Sequence, residues 1–254
     1  MNKFLNLVGK KHIISLQAEK VLTSEYVMQF SEDIKLQDDV DYQIGLVWFE
    51  GTNSIPNIST KENNNKFKYY NGTVWKTLTI PDGGYEINIL NEKIQKLMKD
   101  NNDYLAGTTD KYYITLTGDV TELNTSFEIT NGYKIDFSIT NSFNDLIGFN
   151  NIILNVGTHK STNTVEMAKV KTIKILTNLT TDWFVNGSKS NVLYSSPIPS
   201  PMGYSFKIFP KNVIWLPFMA KSFNNITFSF KDSRDKLIDF RGYSIDFLVM
   251  IKQI

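Results

Sequence analysis

The sequence predicts a mainly β protein with a compact α+β unit set into it. Two observations carry this. Short stretches rich in β-branched and aromatic residues alternate with turn chemistry along most of the 254 residues. The apolar period lengthens from two to between three and four only once, just after Gly83-Gly84. A hydrophobic fraction of 41%, with many Phe and Tyr, supplies a sizeable core and excludes general disorder.

The first strands fall at 13–16, 25–36, 42–49 and 67–80. Tyr26, Met28 and Phe30 alternate with Val27, Gln29 and Ser31, which predicts one buried and one mixed face. Ile44-Gly45-Leu46-Val47-Trp48-Phe49 is apolar on both faces, as a central strand covered on both sides would be.

After Gly83-Gly84, Ile87, Leu90, Ile94, Leu97 and Met98 form one face of a helix. Asn88 is the expected N-cap, Lys96 and Lys99 suit the negative end of the dipole, and Asp100-Asn101-Asn102-Asp103 stops it. Three strands then centre on Ile114, Phe127 and Ile135. A three-residue loop Thr130-Asn131-Gly132 would pair Ile129 with Tyr133 and Phe127 with Ile135, with Gly132 left-handed in a bulge. Phe143-Asn144-Asp145-Leu146 reads as a short turn or helix ending at Gly148. Strands follow at 152–156, 170–177, 192–195, 204–209, 212–216, 226–230 and 244–251, the last interior. Pro197, Pro199 and Pro201 make a stiff loop.

Charge and composition narrow the function classes. Lys and Arg total 27 against 26 Asp and Glu, with no long run of one sign, so no nucleic-acid-binding arm is visible. There is no cysteine, hence no disulfide and no thiolate metal site, which suits folding in a reducing compartment. Met1 to Val8 has too short an apolar core for a signal peptide, and no span is long enough to cross a bilayer, so a soluble, unprocessed chain is expected. Triplets of the glycosylation type at Asn57, Asn178, Asn186 and Asn225 carry little weight in a chain this rich in Asn.

Candidate chemistry is sparse. His12 and His159 lack any neighbouring nucleophile or ligand pattern and read as loop histidines. The 157–162 stretch lacks Gly directly before Lys and has no helix after it, so it is not a phosphate loop. Gly83-Gly84 reads as a turn admitting the helix in preference to an anion site. Asp38, Asp39 and Asp41 lack EF-hand spacing and read as a solvated turn. Glu32, Asp33, Asp232, Asp235 and Asp239 read as surface or turn acids. Trp48, Trp75 and Trp215 are expected to pack in the core, while Trp183 lies in a looser context and is the ring to test for exposure. No catalytic, cofactor-binding or metal-ligating residue is assigned, and no cofactor is expected.

Several of these segments together resemble a known family. Tyr42-Gln43-Ile44-Gly45-Leu46-Val47-Trp48-Phe49-Glu50, running into Asn53-Ser54-Ile55-Pro56-Asn57-Ile58, is similar to the minor capsid, or penton, proteins of Polinton/Maverick elements, virophages and related double-stranded DNA viruses. So are the Ile80-Pro81-Asp82-Gly83-Gly84-Tyr85 turn with its helix, Leu146-Ile147-Gly148-Phe149, Val213-Ile214-Trp215-Leu216, and the end from Ile226-Thr227-Phe228-Ser229-Phe230 to Ile238-Asp239-Phe240. Arg241-Gly242-Tyr243 departs from the family pattern, in which an acidic residue follows the glycine.

The resemblance implies a jelly-roll β-sandwich from 1–66 and 151–254, interrupted by an inserted small α+β subdomain at 67–150. It further implies a non-enzymatic virion protein, assembled inside the host cell as a homopentamer at icosahedral vertices. Its neighbours would be trimers of a double-jelly-roll major capsid protein, the insertion would offer a host-surface contact, and no direct nucleic-acid binding is expected. A lectin-like carbohydrate-binding β-sandwich is the second reading and a hydrolase with dispersed acids the third.

Overall fold

The computed structural model describes residues 13–21, 24–107, 111–180, 183–185, 188–218 and 220–254. Ahead of the insertion run β1 (Ile13–Val21), β2 (Glu25–Lys35) and β3 (Tyr42–Thr52). Inside it come β4 (Lys66–Tyr70), β5 (Trp75–Thr79), α1 (Ile87–Asp100), β6 (Ile114–Asp119), β7 (Asn124–Ile129), β8 (Lys134–Asp136), a 3-10 turn at Asn144–Ile147, β9 (Ile153–Leu154) and β10 (Gly157–Lys160). After it follow β11 (Thr172–Thr177), β12 (Trp183–Val185), β13 (Ser188–Ser190), β14 (Val192–Pro197), β15 (Ser205–Ile208), β16 (Leu216–Phe218), β17 (Ser222–Lys231) and β18 (Ile245–Gln253). The fold is mainly β, as the alternation predicts, with α1 as the one α-helix among the described residues.

Contacts divide the chain into two compact units, Met1–Ile55 with Val170–Ile254, and Pro56–Lys169. The inserted unit is therefore wider at both ends than 67–150. At its start Ile58 bridges Gly83, and at its end β10 pairs with β7, so the flanking segments belong to the insertion's own hydrogen bonding.

The discontinuous unit is a β-sandwich. One sheet has the order β1-β18-β3-β15, with β16 pairing the other half of β3, and the second runs β14-β11-β17-β2. Inward-facing residues of both sheets share one core, because alternate side chains of a strand point to one face. At its centre Phe247 of β18 meets Phe228 and Phe230 of β17 at 4.6 and 5.8 Å, and Phe49 of β3 stacks on Phe230 at 5.7 Å. Tyr26 and Met28 are buried while Val27 and Gln29 are exposed, as the β2 alternation predicts.

β3 is central in its sheet, and its outer face is covered for a reason visible at Gly45. A Cβ there would lie 2.5 Å from Val213 Cγ1 and 3.1 Å from the Trp215 ring, so 213–215 runs flat across β3 where a strand was expected. β18 lies between β1 and β3, and its outer residues Leu248 and Met250 are half-buried, less enclosed than expected.

The inserted unit has its own core. It holds the sheets β5-β4-β8-β9 and β10-β7-β6 together with α1. Phe67 of β4 lies within 5.7–6.3 Å of Tyr69, Phe127, Phe137 and Phe143, linking the two sheets. Helix α1 buries Leu90, Ile94 and Met98, with Ile87 and Leu97 packed at the margin. Asn91 Oδ1 accepts the Leu116 N–H at 2.8 Å, which covers part of the free edge of β6. The helix ends in a Schellman pattern. Asn102 takes φ 59°, its N–H donates to Lys99 O, and the Asp103 N–H donates to Met98 O. Its start differs from expectation: Glu86, not Asn88, is the extended N-cap, and it makes no side-chain cap bond.

Two hairpin expectations are corrected. The 67–80 stretch is not one strand but the hairpin β4–β5, turned at Asn71-Gly72, with Asn71 Oδ1 accepting the Thr73 and Val74 N–H groups. Asn131 and Gly132 both have positive φ, 55° and 75°, and the Tyr133 N–H donates to Thr130 O at 3.1 Å, so the turn is the two-residue type I′ form without a bulge. It joins no hairpin: β7 pairs β6 and β10, whereas β8 pairs β4 and β9. Both sheets face the same core, so the alternation that buries Ile129, Tyr133 and Ile135 fixes their face without fixing their partner strand. The 3-10 turn ending at Gly148, φ 78°, agrees with the sequence.

Two of the segments that carried the resemblance, the end of 53–58 and the 80–85 turn, meet inside this unit. Asn57 is 2% exposed; its Oδ1 accepts the Tyr85 N–H at 3.0 Å and its Nδ2 donates to Tyr85 O at 2.7 Å. The Asn57 N–H donates to Gly83 O, and Asn57 O accepts from Asn64 Nδ2 at 2.8 Å. Asn57→Ala is expected to strip both Tyr85 backbone groups of their partners, at about 1–3 kcal/mol for each group left unpaired, seen as a lower urea midpoint. Gly132→Ala and Gly148→Ala should separate sharply by the same measurement. Each forces alanine to positive φ, costing roughly 1–2 kcal/mol, but only at Gly148 would the Cβ also fall 2.2 Å from Asn163 O, so that variant should be clearly the less stable of the two.

Candidate functional site

His159 lies half-buried on β10 with Nε2 2.8 Å from Asn155 O. The 157–160 segment is thus a strand, neither loop nor phosphate cradle. Gly83 donates its N–H to Ile58 O at 2.9 Å, so that group is committed to the chain. Asp38 and Asp39 sit exposed in the turn between β2 and β3, and no group of three or more His, Cys, Asp or Glu among the described residues is arranged to hold a metal ion. Asp235 pairs with Lys174 at 2.9 Å, and Asp239 Oδ1 accepts the Arg241 N–H at 2.8 Å. Arg241 and Gly242, φ 52° and 75°, form a type I′ turn, which gives the unusual Arg-Gly pair a backbone role. Asp232, 1% exposed, binds the Arg234 side chain and the Arg234 and Lys236 N–H groups. His12 and Asn186 lie outside the described residues, as does the side chain of Trp183.

The tryptophans correct the sequence reading. Trp48 and Trp215 are half-buried and Trp75 is 41% exposed, so none belongs to a core. Each has a lysine ammonium over its ring: Lys207 on Trp48 at 4.6 Å, Lys252 on Trp215 at 4.1 Å, and Lys68 on Trp75 at 4.9 Å.

Two cavities stand out, and sequence reasoning pointed to neither. In the sandwich, a polar recess of about 460 Å³ gathers Glu50 and Thr52 of β3, Ser205 and Lys207 of β15, and Ser244 and Asp246 at the start of β18. Lys207 bonds Glu50 at 2.6 Å, while Asp246 lies directly opposite Glu50 in register. In the inserted unit, an apolar groove of about 510 Å³ lies between the start of α1 and the β6–β7 hairpin, lined by Ile87, Val120, Leu123, Val165 and Met167, with Glu86 and Asp119 at its polar margin. The register of distant strands creates the recess, and the meeting of α1, the β6–β7 turn and the 165–167 segment creates the groove.

The most perturbed ionisable groups form a buried cluster at the end of α1. Asp103 accepts from Tyr69 Oη at 2.5 Å, Lys76 Nζ at 2.8 Å and Asn71 Nδ2 at 2.9 Å. Burial opposes ionisation of Asp103, but these donors together hold its carboxyl below the ordinary range. Burial raises the Tyr69 phenol, and Asp103 raises it further. Tyr133 is pushed up to about 12 by burial and then by the nearby Asp103 charge. Asp136 is likewise held low by Lys68 and Ser138 against the effect of burial. These groups lock backbone and side chains together at the end of α1.

The signs of the shifts fix a pH profile. A lowered Asp103 contributes stability that is present above its unfolded value near 3.8 and is lost as pH falls through the folded value. A raised Tyr133 contributes stability that is complete below 10 and is lost as pH rises toward about 12. Urea unfolding across pH should show Asp103→Asn with a flatter acid limb and Tyr133→Phe with a shallower alkaline limb than the parent.

No protein-family model matches the chain, and no curated protein sequence matches it. Among solved structures, the crystal structure of selenomethionine-labelled mavirus penton protein is similar over 96% of this chain and 100% of that one, with a TM-score of 0.50 and 11% sequence identity. At that identity the likeness is one of fold, and it extends across both units of the chain.

Proposed function

We propose that this chain is a structural viral capsid protein of the penton type, in line with the Polinton, Maverick and virophage resemblance of its sequence. The observation that carries the reading is the end-to-end likeness of fold to the mavirus penton protein, at 96% and 100% coverage. The strand order supports it. Counting β15 and β16 as one interrupted strand, the sandwich strands number one to eight along the chain, and the sheets run 1-8-3-6 and 5-4-7-2. That alternation supports reading the sandwich as a jelly roll.

In this reading the protein forms a homopentamer at icosahedral vertices, beside trimers of a double-jelly-roll major capsid protein, in a virion assembled inside the host cell. A ring of five is a closed heterologous assembly, in which one patch of each copy meets a different patch of the next. The role is assembly without catalysis. A balance of 27 basic and 26 acidic residues suits a shell component that need not grip the genome.

Native mass spectrometry tests this. The expected result is a species at five times 29.1 kDa, either alone or on mixing with the major capsid trimers. A chain that stays monomeric in both conditions overturns the proposal.

A further inference from the structure

The outer face of the sheet β5-β4-β8 in the inserted unit has a chemistry that packing does not require. Along β4 the buried Phe67 and Tyr69 alternate with Lys66, Lys68 and Tyr70, which point away from the core. Register sets Tyr70 between Trp75 on one side and Lys134 on the other, and Lys68 between Thr77 and Asp136. The result is one face carrying Lys66, Lys68 and Lys134 with two aromatic rings.

Charge on this face is unbalanced. Asp136 is its one carboxylate in the β4, β5 and β8 register, and it is spent on Lys68 at 2.7 Å. Asp136 also takes both the N–H and the hydroxyl of Ser138. Lys66 donates only to a neutral partner, Thr79 Oγ1, at 2.7 Å. The Lys134 ammonium lies 5.9 Å from the centre of the Tyr70 ring, which offers a weak attraction but no neutralising charge.

The aromatic pair is exposed in part and tilted. Tyr70 and Trp75 lie 5.4 Å apart at 50°, and Trp75 is 41% exposed. An ammonium already covers one face of each ring, Lys68 on Trp75 and Lys134 on Tyr70. Two rings tilted at 50° to each other do not make the row of successive stacking platforms that a single-stranded nucleic acid uses. They do present clustered cations beside exposed hydroxyls at Thr77 and Thr79. The geometry points to an anionic polysaccharide, of the sulfated kind, as the ligand of this face. Lys66 and Lys134 meet its charged groups, and Trp75 packs on a sugar ring.

This inference is independent of vertex assembly, since it concerns one face of one unit. The test is retention of the full chain on immobilised heparin at low salt, with affinity measured by titration against heparin, neutral dextran and a single-stranded oligothymidine. The chain should bind heparin in a salt-sensitive way, ignore dextran and prefer heparin to the oligonucleotide. Lys66→Gln with Lys134→Gln should weaken heparin binding at least about tenfold. Trp75→Ala should weaken it further. Lys93→Gln with Lys96→Gln on α1 removes the same charge elsewhere and should leave it unchanged. Circular dichroism melts confirm that each variant is folded. No heparin binding, equal loss in the α1 variant, tighter binding of the oligonucleotide, or full affinity in the folded Lys66 and Lys134 variant each overturns the inference.

Discussion

The inserted unit depends on one buried amide. Where the chain leaves the sandwich at 55 and enters the insertion at 56, it has no regular strand to hold it. Asn57 supplies the equivalent of a strand pairing by accepting from the N–H of Tyr85 and donating to its carbonyl. Its own backbone reaches Gly83, and Asn64 reaches back to it with one amide group while accepting the Ser59 N–H with the other. Polar groups buried this deeply are costly unless every one is paired, so the cluster is stable only in this arrangement. It fixes the entry segment, the Gly83-Gly84 turn and thereby the first turn of α1. Tyr85 completes the turn by donating its hydroxyl to Pro81 O at 2.8 Å.

Around that anchor, the two units solve the same packing problem in the same way. Each stacks two sheets over a core rich in Phe and Tyr, with Phe247 at the centre of one and Phe67 at the centre of the other. Among the described residues, Trp48, Trp75 and Trp215 are kept out of both cores, each under a lysine. That placement is physically consistent. The lysine stem covers apolar ring surface while its ammonium stays wet and is attracted by the ring quadrupole. Large aromatic area is thereby shielded without being buried, and the sheet face remains charged.

What the sequence disclosed, and what it hid, follows from what periodicity can encode. Alternation at Tyr26 and Met28, and the three-and-four spacing through Leu90, Ile94 and Met98, reported burial correctly because each side chain's face is a local property. Pairing is not local. The same alternation that put Ile129, Tyr133 and Ile135 inward was compatible with a β7–β8 hairpin, and the chain instead crosses to the other sheet. β10 escaped notice because Gly157-Thr158-His159-Lys160 contains no apolar residue to alternate, and it forms as an edge strand against β7. Asn71-Gly72 signals the β4–β5 turn, but it lies inside a stretch whose aromatic and β-branched residues on both sides read as one strand. The polar recess had no sequence signature at all. Glu50, Lys207 and Asp246 come from strands far apart in the chain and meet only through register.

The position of the insertion explains how one chain can carry two cores. It interrupts the sandwich between β3 and β11, which belong to different sheets. Every ladder partner of β3 and of β11 comes from the sandwich itself, so no strand of the insertion completes either sheet. The connection between two sheets is therefore the place where added length costs least, because closing a longer loop adds only about 0.6 kcal/mol for each doubling. Residues 56–169 exceed what a bare loop could hold in order, and they are ordered because they bring their own buried core and the Asn57 anchor. Surface residues of the insertion, Lys66, Lys134 and Trp75 among them, can then change without touching a sandwich ladder. Changes in the sandwich and changes on the insertion's surface are thus separable in the sequence, each limited by its own core.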